Sequence, residues 1–232
     1  MTEKIKKTPK FLKDRYLWNE TAENPYVTYA LYFIMLFMSV LLIFVSVVGM
    51  CHVVGPSMNP TLSDGDYLLM TKNPTSFKHG DIITFRMKDE DGTEEALIKR
   101  VIAIGGDRIV FIKNNDAIGT VSIYRQAAGG EKFVLVQEEY TGDYPTLASS
   151  FVGGKLANNV SPDATPENME KHALLIDADR LLVLGDHRDD STDSRAFGLV
   201  PTNTVRGKMF YRLTKGSLLE RMLLLIYNDE KL

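Results

Sequence analysis

The chain has 232 residues, 44% of them hydrophobic and 25% charged, with a formal net charge of −3. That length holds one sizeable domain, or one domain carrying an inserted lobe. The slight acidity argues against nucleic acid as a partner. One cysteine, Cys51, excludes an intrachain disulfide framework and a cysteine-built zinc site. His52, His79, His172 and His187 are scattered without metal-ligand spacing, so neither a metal nor any other cofactor is expected.

The first twenty residues are basic: Lys4, Lys6, Lys7, Lys10, Lys13 and Arg15 stand against Glu3, Asp14 and Glu20. From Val27 to Met50 no residue is charged. As a helix this run spans about 36 Å, enough to cross a bilayer with some tilt. No basic residue follows it until Lys72, so the positive-inside rule puts the N-terminus in the cytoplasm and everything after Met50 outside. Val48-Gly49-Met50 is not a small-x-small cleavage site, and the run is too long for a signal-peptide core, so an uncleaved anchor is expected. Tyr26, Tyr29 and Tyr32 stand at its inner end, where an interfacial aromatic belt would use them.

Beyond the anchor the pattern turns to short strands. Gly65-Asp66, Gly80-Asp81, Gly106-Asp107, Gly142-Asp143 and Gly185-Asp186 read as turns before or between them. The charged stretch Asp89 to Glu95 reads as a hairpin loop. Residues 112 to 173 mix short β patterns with Gly-, Asn-, Pro- and Ser-rich links and carry no repeat; they read as an inserted β lobe. Ser217 to Ile226 is apolar, is broken by Glu220 and Arg221, and is too short to span; it is interfacial or packs on the domain.

Two residues stand out chemically. Ser57 lies between Pro56 and Pro60, which keep its backbone extended or turning. A serine is a weak nucleophile and needs a base. Lys99 sits within Ala96-Leu97-Ile98-Lys99-Arg100-Val101-Ile102-Ala103-Ile104, a strand apolar on both faces. An amine desolvated there has a lowered pKa and can act as that base; a lysine reaching out to water is the alternative. The loop from Asp186 to Arg195 alternates Asp and Arg, lacks the glycine and glutamate of a calcium loop, and reads as an ion-paired support beside a site. His187 makes a Ser57–His187–Asp triad the rival reading.

These pieces together resemble the type I signal peptidases, membrane-anchored Ser/Lys proteases that remove signal peptides from exported proteins. The matching residues are Ser57-Met58-Asn59-Pro60-Thr61-Leu62, Gly65-Asp66, Gly80-Asp81-Ile82, Lys99-Arg100-Val101 with Gly105-Gly106-Asp107, and Gly185-Asp186 through Ser191, Asp193, Ser194 and Arg195. The resemblance implies a mostly β fold, an antiparallel catalytic domain with a smaller inserted lobe behind one transmembrane helix. It divides the chain into a cytoplasmic tail (1–26), an anchor (27–50), a catalytic core (51–111 and 174–213), the lobe (112–173) and an amphipathic C-terminal tail (214–232).

It further implies Ser57 as nucleophile and Lys99 as base, with Ser191 orienting the amine. Asp193 with Arg195, and Asp186 with Arg100, would form supporting pairs. Val54, Met58, Leu62, Leu97 and Ile98 are the residues expected to line shallow substrate pockets, with core packing as their alternative role. Exported preproteins and the bilayer are the implied partners. Two departures from the family pattern stand in this chain. Gly55 occupies a position where many members place a serine in the oxyanion hole. His187 and Asp190 replace common asparagines, and an added carboxylate would raise the lysine pKa. A non-catalytic assembly factor and a self-cleaving repressor are the other readings. Retention of both Ser57 and Lys99 argues against the first, and the membrane anchor against the second.

Overall fold

A computed structural model describes residues 25–88, 92–165 and 167–226. The basic stretch 1–20 and the tip of the charged hairpin at 89–91 lie outside them. The charge-free run forms a 23-residue helix, α1 (Pro25–Val47), with no buried residue. It is the one helix among the described residues long and apolar enough to cross a membrane, at a mean hydropathy of 2.7. Ser39 and Ser46 return their hydroxyls to the carbonyls of Met35 and Leu42, which satisfies both serine hydroxyls within the helix.

The helix stops short of Met50. Val48, Gly49 and Met50 already belong to β1 (Val48–His52), which pairs antiparallel with β2 (Tyr67–Lys72). Absence of charge marked the run, but a ladder partner decides where helix gives way to strand. Gly49 makes room there for the Lys72 stem: a Cβ would lie 3.2 Å from it, a tight contact. The chain divides at this point into two compact units, up to Val47 and from Val48 onward.

The second unit is two packed sheets. The larger includes β3 (Ile82–Lys88), β4 (Glu94–Ala103), β10 (Arg180–Leu184), β11 (Val200–Pro201) and β12 (Val205–Arg212), in the order β1-β2-β12-β3-β4-β10-β11, all antiparallel. Glu94 and Glu95, expected in the hairpin loop, are strand residues paired with Lys88 and Met87. The smaller sheet holds β5 (Arg108–Lys113), β6 (Val121–Gln126), β7 (Val134–Leu135), β8 (Val160–Ser161) and β9 (Leu174–Leu175); β8 joins β5 in parallel. Three short helices follow in sequence: α2 (Met169–His172), α3 (Ser194–Phe197) and α4 (Leu218–Ile226).

The lobe is therefore larger than its composition suggested. The large sheet ends at Ala103 and resumes at Arg180, so β5 and β9 pair within the lobe rather than with the core. The Gly105-Gly106-Asp107 turn makes the transition. A Cβ on Gly105 would meet the Ala178 carbonyl oxygen at 2.4 Å, Gly106 has φ +89°, and the Asp107 carboxylate accepts the N–H groups of Ile104 and Ala128.

The seam between the sheets is a core of Ile102, Ala103, Leu182 and Leu184 against Ile109, Phe111, Val121 and Ile123. Leu181 and Val183 face the other way, onto Ile83, Phe85 and Val101. The run Leu181-Leu182-Val183-Leu184 is apolar throughout because both faces of β10 are buried. Each such side chain contributes about 1.5–3 kcal/mol on burial. This core carries β4 and the loop after β10, the two segments that supply Lys99 and residues 185–195.

Candidate active site

Ser57 lies in a turn from Gly55 to Leu62, held by Asn59 N–H to the Pro56 carbonyl (2.8 Å) and Leu62 N–H to the Met58 carbonyl (2.9 Å). Gly55 adopts φ +87°, a left-handed conformation that glycine tolerates best, and its N–H donates to Asp64 Oδ1 at 2.8 Å. The turn is pinned from below by Met58 and Leu62, 1% and 0% exposed, within a cluster of Cys51, Val53, Leu68, Met70 and Ile82. These two expected pocket residues are thus the floor of the turn: their side chains anchor its backbone and reach no solvent. Val54 is 79% exposed, and Leu97 and Ile98 are half-buried on β4.

Lys99 projects from β4, opposite Ile83 of β3, and is 2% exposed. Its Nζ donates to Ser57 Oγ at 2.9 Å. With the amine deprotonated, the same separation lets the serine O–H donate to Nζ. Burial pushes the Lys99 ammonium below the usual lysine range. Asp193 and Glu95 pull it back up, Arg195 adds to the lowering, and Asp186 opposes it weakly. Asp190, the carboxylate expected to raise it, is exposed; Asp193, Glu95 and Asp186 are the carboxylates that raise it.

The loop after β10 wraps this pair. Asp186, fully buried, accepts Arg100 Nε at 2.8 Å and Nη2 at 2.5 Å, the pairing expected from the sequence. Asp193 takes Arg195 Nε and Nη2 at 2.8 and 2.7 Å and also accepts the Gly185 N–H at 2.9 Å. Ser191 was expected to orient the amine. Its hydroxyl is buried and forms no hydrogen bond, while its carbonyl accepts from Arg195 at 3.4 Å. His187 donates its backbone N–H to the Ser57 carbonyl at 3.2 Å, but its ring stacks on Tyr144 at 3.8 Å and makes no bond to the serine hydroxyl. The triad reading fails on that geometry: the group on Ser57 Oγ is an amine. Among the described residues no cluster of His, Cys, Asp or Glu is arranged to hold a metal.

Arg188 belongs to the polar loop that the sequence marked, but the neighbours that hold this loop carried no mark. Arg188, 1% exposed, is held by Glu138 at 2.6 Å, by the Thr146 hydroxyl and by the Gly185 carbonyl at 3.0 Å. Tyr140 lies under the Arg100 guanidinium at 4.2 Å, and burial, with Glu138 adding to it, pushes its phenol up to about 12. Ser150 Oγ accepts from Arg195 at 2.7 Å. Glu138, Tyr140, Thr146 and Ser150 all lie between β7 and β8, and this stretch thereby grips the polar loop. Two surface grooves, about 470 Å³ beside Phe85 and Phe197 and about 410 Å³ beside Asp66 and Arg212, include neither Ser57 nor Lys99.

Residues 26–214 match the family described as signal peptidase, peptidase S26. The chain belongs to the S26 signal peptidase family. It is accordingly a serine endopeptidase of the signal peptidase I kind. The signal peptidase I of Aquifex aeolicus (strain VF5) is 30% identical over 183 residues, covering 66% of this chain and 71% of the relative. The signal peptidase IB of Staphylococcus aureus (strain Mu50) is 30% identical over 161 residues, covering 68% and 73%. A crystal structure of a signal peptidase I from Enterococcus faecalis V583 aligns at 22% identity and a TM-score of 0.34, over 59% of this chain and 98% of the other, a score too low to add to the family match.

In this S26 peptidase Gly185 is where the loop and the serine turn meet. A Cβ built there would lie 2.1 Å from Ser191 Oγ and 2.6 Å from the Ser57 carbonyl oxygen. Gly185→Ala must displace one or both. Because misplacement of a reacting group by about 1 Å costs about 100-fold, kcat for a signal-peptide substrate falls by that order. Circular dichroism of the variant should show the β fold retained.

Proposed function

We propose that this chain removes N-terminal signal peptides from exported preproteins, with Ser57 as nucleophile and Lys99 as general base. The observation that carries the assignment is an amine buried to 2% exposure and 2.9 Å from a hydroxyl. Neutral Lys99 takes the proton of Ser57 as Oγ attacks the scissile carbonyl. The resulting ammonium protonates the leaving amine, and water, deprotonated by the same lysine, releases the acyl-enzyme.

The oxyanion forms beside the Ser57 N–H, which donates to no protein acceptor among the described residues. One such donor is worth about 3–4 kcal/mol in related chemistry. The Gly55 N–H is committed to Asp64, so the second donor is not that group. Asp186 with Arg100, and Asp193 with Arg195, hold the loop that closes over the lysine.

The substrate reading is an extended segment ending in small residues, Ala-x-Ala in type, lying over the exposed edge near Val54, Leu97 and Ile98. Helix α1 anchors the protein in the cell membrane, with the N-terminus cytoplasmic and the catalytic unit outside. The core and the inserted lobe work as one body outside the membrane, joined through Arg188 and Arg195. To test this, the full chain in detergent is incubated with a preprotein and the new N-terminus is sequenced. Wild type should cut after a small-x-small site and Ser57→Ala should not cut at all. A cut elsewhere overturns the substrate reading, and cleavage by Ser57→Ala overturns the nucleophile.

A further inference from the structure

Helix α4 lies beyond residue 214, where the family match ends. Its start is fixed by a local exchange: the Glu220 N–H donates to Ser217 Oγ at 3.1 Å, and the Glu220 carboxylate accepts the Gly216 N–H at 2.5 Å. That exchange turns the only acid of the helix inward, to 8% exposure. Leu223 is also buried, against Leu69, Leu213, Val48 and Met50. The opposite face is apolar and open. Leu218, Met222 and Leu225, at i, i+4 and i+7, are 74%, 55% and 85% exposed. Between Lys215 and Leu225 the exposed ionisable groups are Lys215 and Arg221, both cations.

Two observations select the occupant of this face. The surface it rests on, Val48 and Met50, begins at the residue covalently following α1. Among the described residues its outward face is apolar, flanked by the cations Lys215 and Arg221 and by no exposed carboxylate, which suits a bilayer bearing anionic headgroups. We propose that α4 is an interfacial helix, seated on the outer bilayer surface through Leu218, Met222 and Leu225, which fixes β1 and so the Ser57 turn at the lipid boundary. The inference rests on the reading of α1 as a membrane span.

The test uses the full chain reconstituted in vesicles of phosphatidylcholine and phosphatidylglycerol. A bimane label is placed at Leu225→Cys, or at Asn203→Cys as an exposed control. Cys51 is buried, its thiol pushed up to about 11, and the unsubstituted chain measures any background labelling. The expected result is blue-shifted emission at 225, quenched by brominated lipid chains, with neither effect at 203. Water-like emission at 225 in a chain that resists alkaline extraction overturns the α4 proposal and leaves the α1 span standing. Extraction of the chain by alkali overturns both. Blue-shifted emission that brominated lipid does not quench means a second copy covers the face, and also overturns it.

The functional arm uses the surface variant Leu218→Asp/Met222→Asp/Leu225→Asp. Cleavage of a vesicle-embedded preprotein should fall about tenfold, with a soluble peptide cut at the wild-type rate. Equal loss on both substrates would make α4 a structural element and end the proposal.

Discussion

Lys99→Ala is expected to lower kcat/KM by about 10⁴-fold, as is Ser57→Ala, and the double variant should be no worse than either if the two act as one unit. The distinctive variant is Lys99→Met. It should be equally inactive, yet melt higher than the wild type, since it fills the same buried space without a group that burial disfavours in its charged form. Each kcal/mol recovered raises Tm by about 2–4 °C in a domain of this size.

The sign of the pH dependence follows from the same lysine. Its folded-state pKa is depressed, so the unfolded chain holds its proton to higher pH than the folded one. Stability is then greatest above the unfolded value, about 10.4, and is lost as pH falls through the folded one. The methionine variant lacks this component. Activity rises with pH as the amine loses its proton, with the acidic limb placed below the ordinary lysine range. Glu95→Gln removes a carboxylate that raises the Lys99 pKa, so the limb moves to lower pH. Peptide kinetics and thermal unfolding across pH check all three. A limb indifferent to Glu95→Gln, or activity surviving Lys99→Ala, would assign the base elsewhere.

Asp193→Ala destabilises the fold by about 3–5 kcal/mol. The aspartate is 0% exposed and its partner Arg195 is 1% exposed, so truncation leaves a guanidinium in the interior with its carboxylate gone. The Gly185 N–H loses its acceptor as well. Pairing the change with Arg195→Met removes the stranded charge, and the double variant should lose less than the sum of the singles. Urea unfolding of the four-member cycle measures the coupling. A loss below about 1 kcal/mol in Asp193→Ala, typical of an exposed pair, would contradict the buried geometry.

What could be read from the chain beforehand was what leaves a local trace. A lysine in a strand apolar on both faces is such a trace, and so is a serine between two prolines; the 2.9 Å contact joins them across the fold. Arg100 beside Lys99 and Asp186 beside Gly185 pair as the chain suggests. The fate of Met58 and Leu62 was not legible, because an apolar residue near a nucleophile serves a pocket or a floor with equal ease until its neighbours are known. Nor was the grip of Glu138, Tyr140, Tyr144, Thr146 and Ser150, polar and aromatic residues in a loop-rich stretch without periodicity. Their partners Arg188, Arg195 and His187 lie about forty residues further on, a separation that no local pattern encodes. The ladder partners of β1 and β5, which decide where the anchor ends and the lobe begins, are non-local in the same way.

The grip of the inserted lobe has an evolutionary corollary. Its ties to the polar loop fall within a short arc, residues 138–156, where the Leu156 N–H also donates to the Arg195 carbonyl, while β7 and the connection through residues 127–137 make none of those ties. Insertions, deletions and changes of composition can therefore accumulate on the outer hairpin at little cost to catalysis. Drift within the arc is constrained, because it would strip Arg188 of its Glu138 and Thr146 acceptors and Arg195 of Ser150. Natural variants of this protein should thus differ most in length where the lobe faces away from the serine.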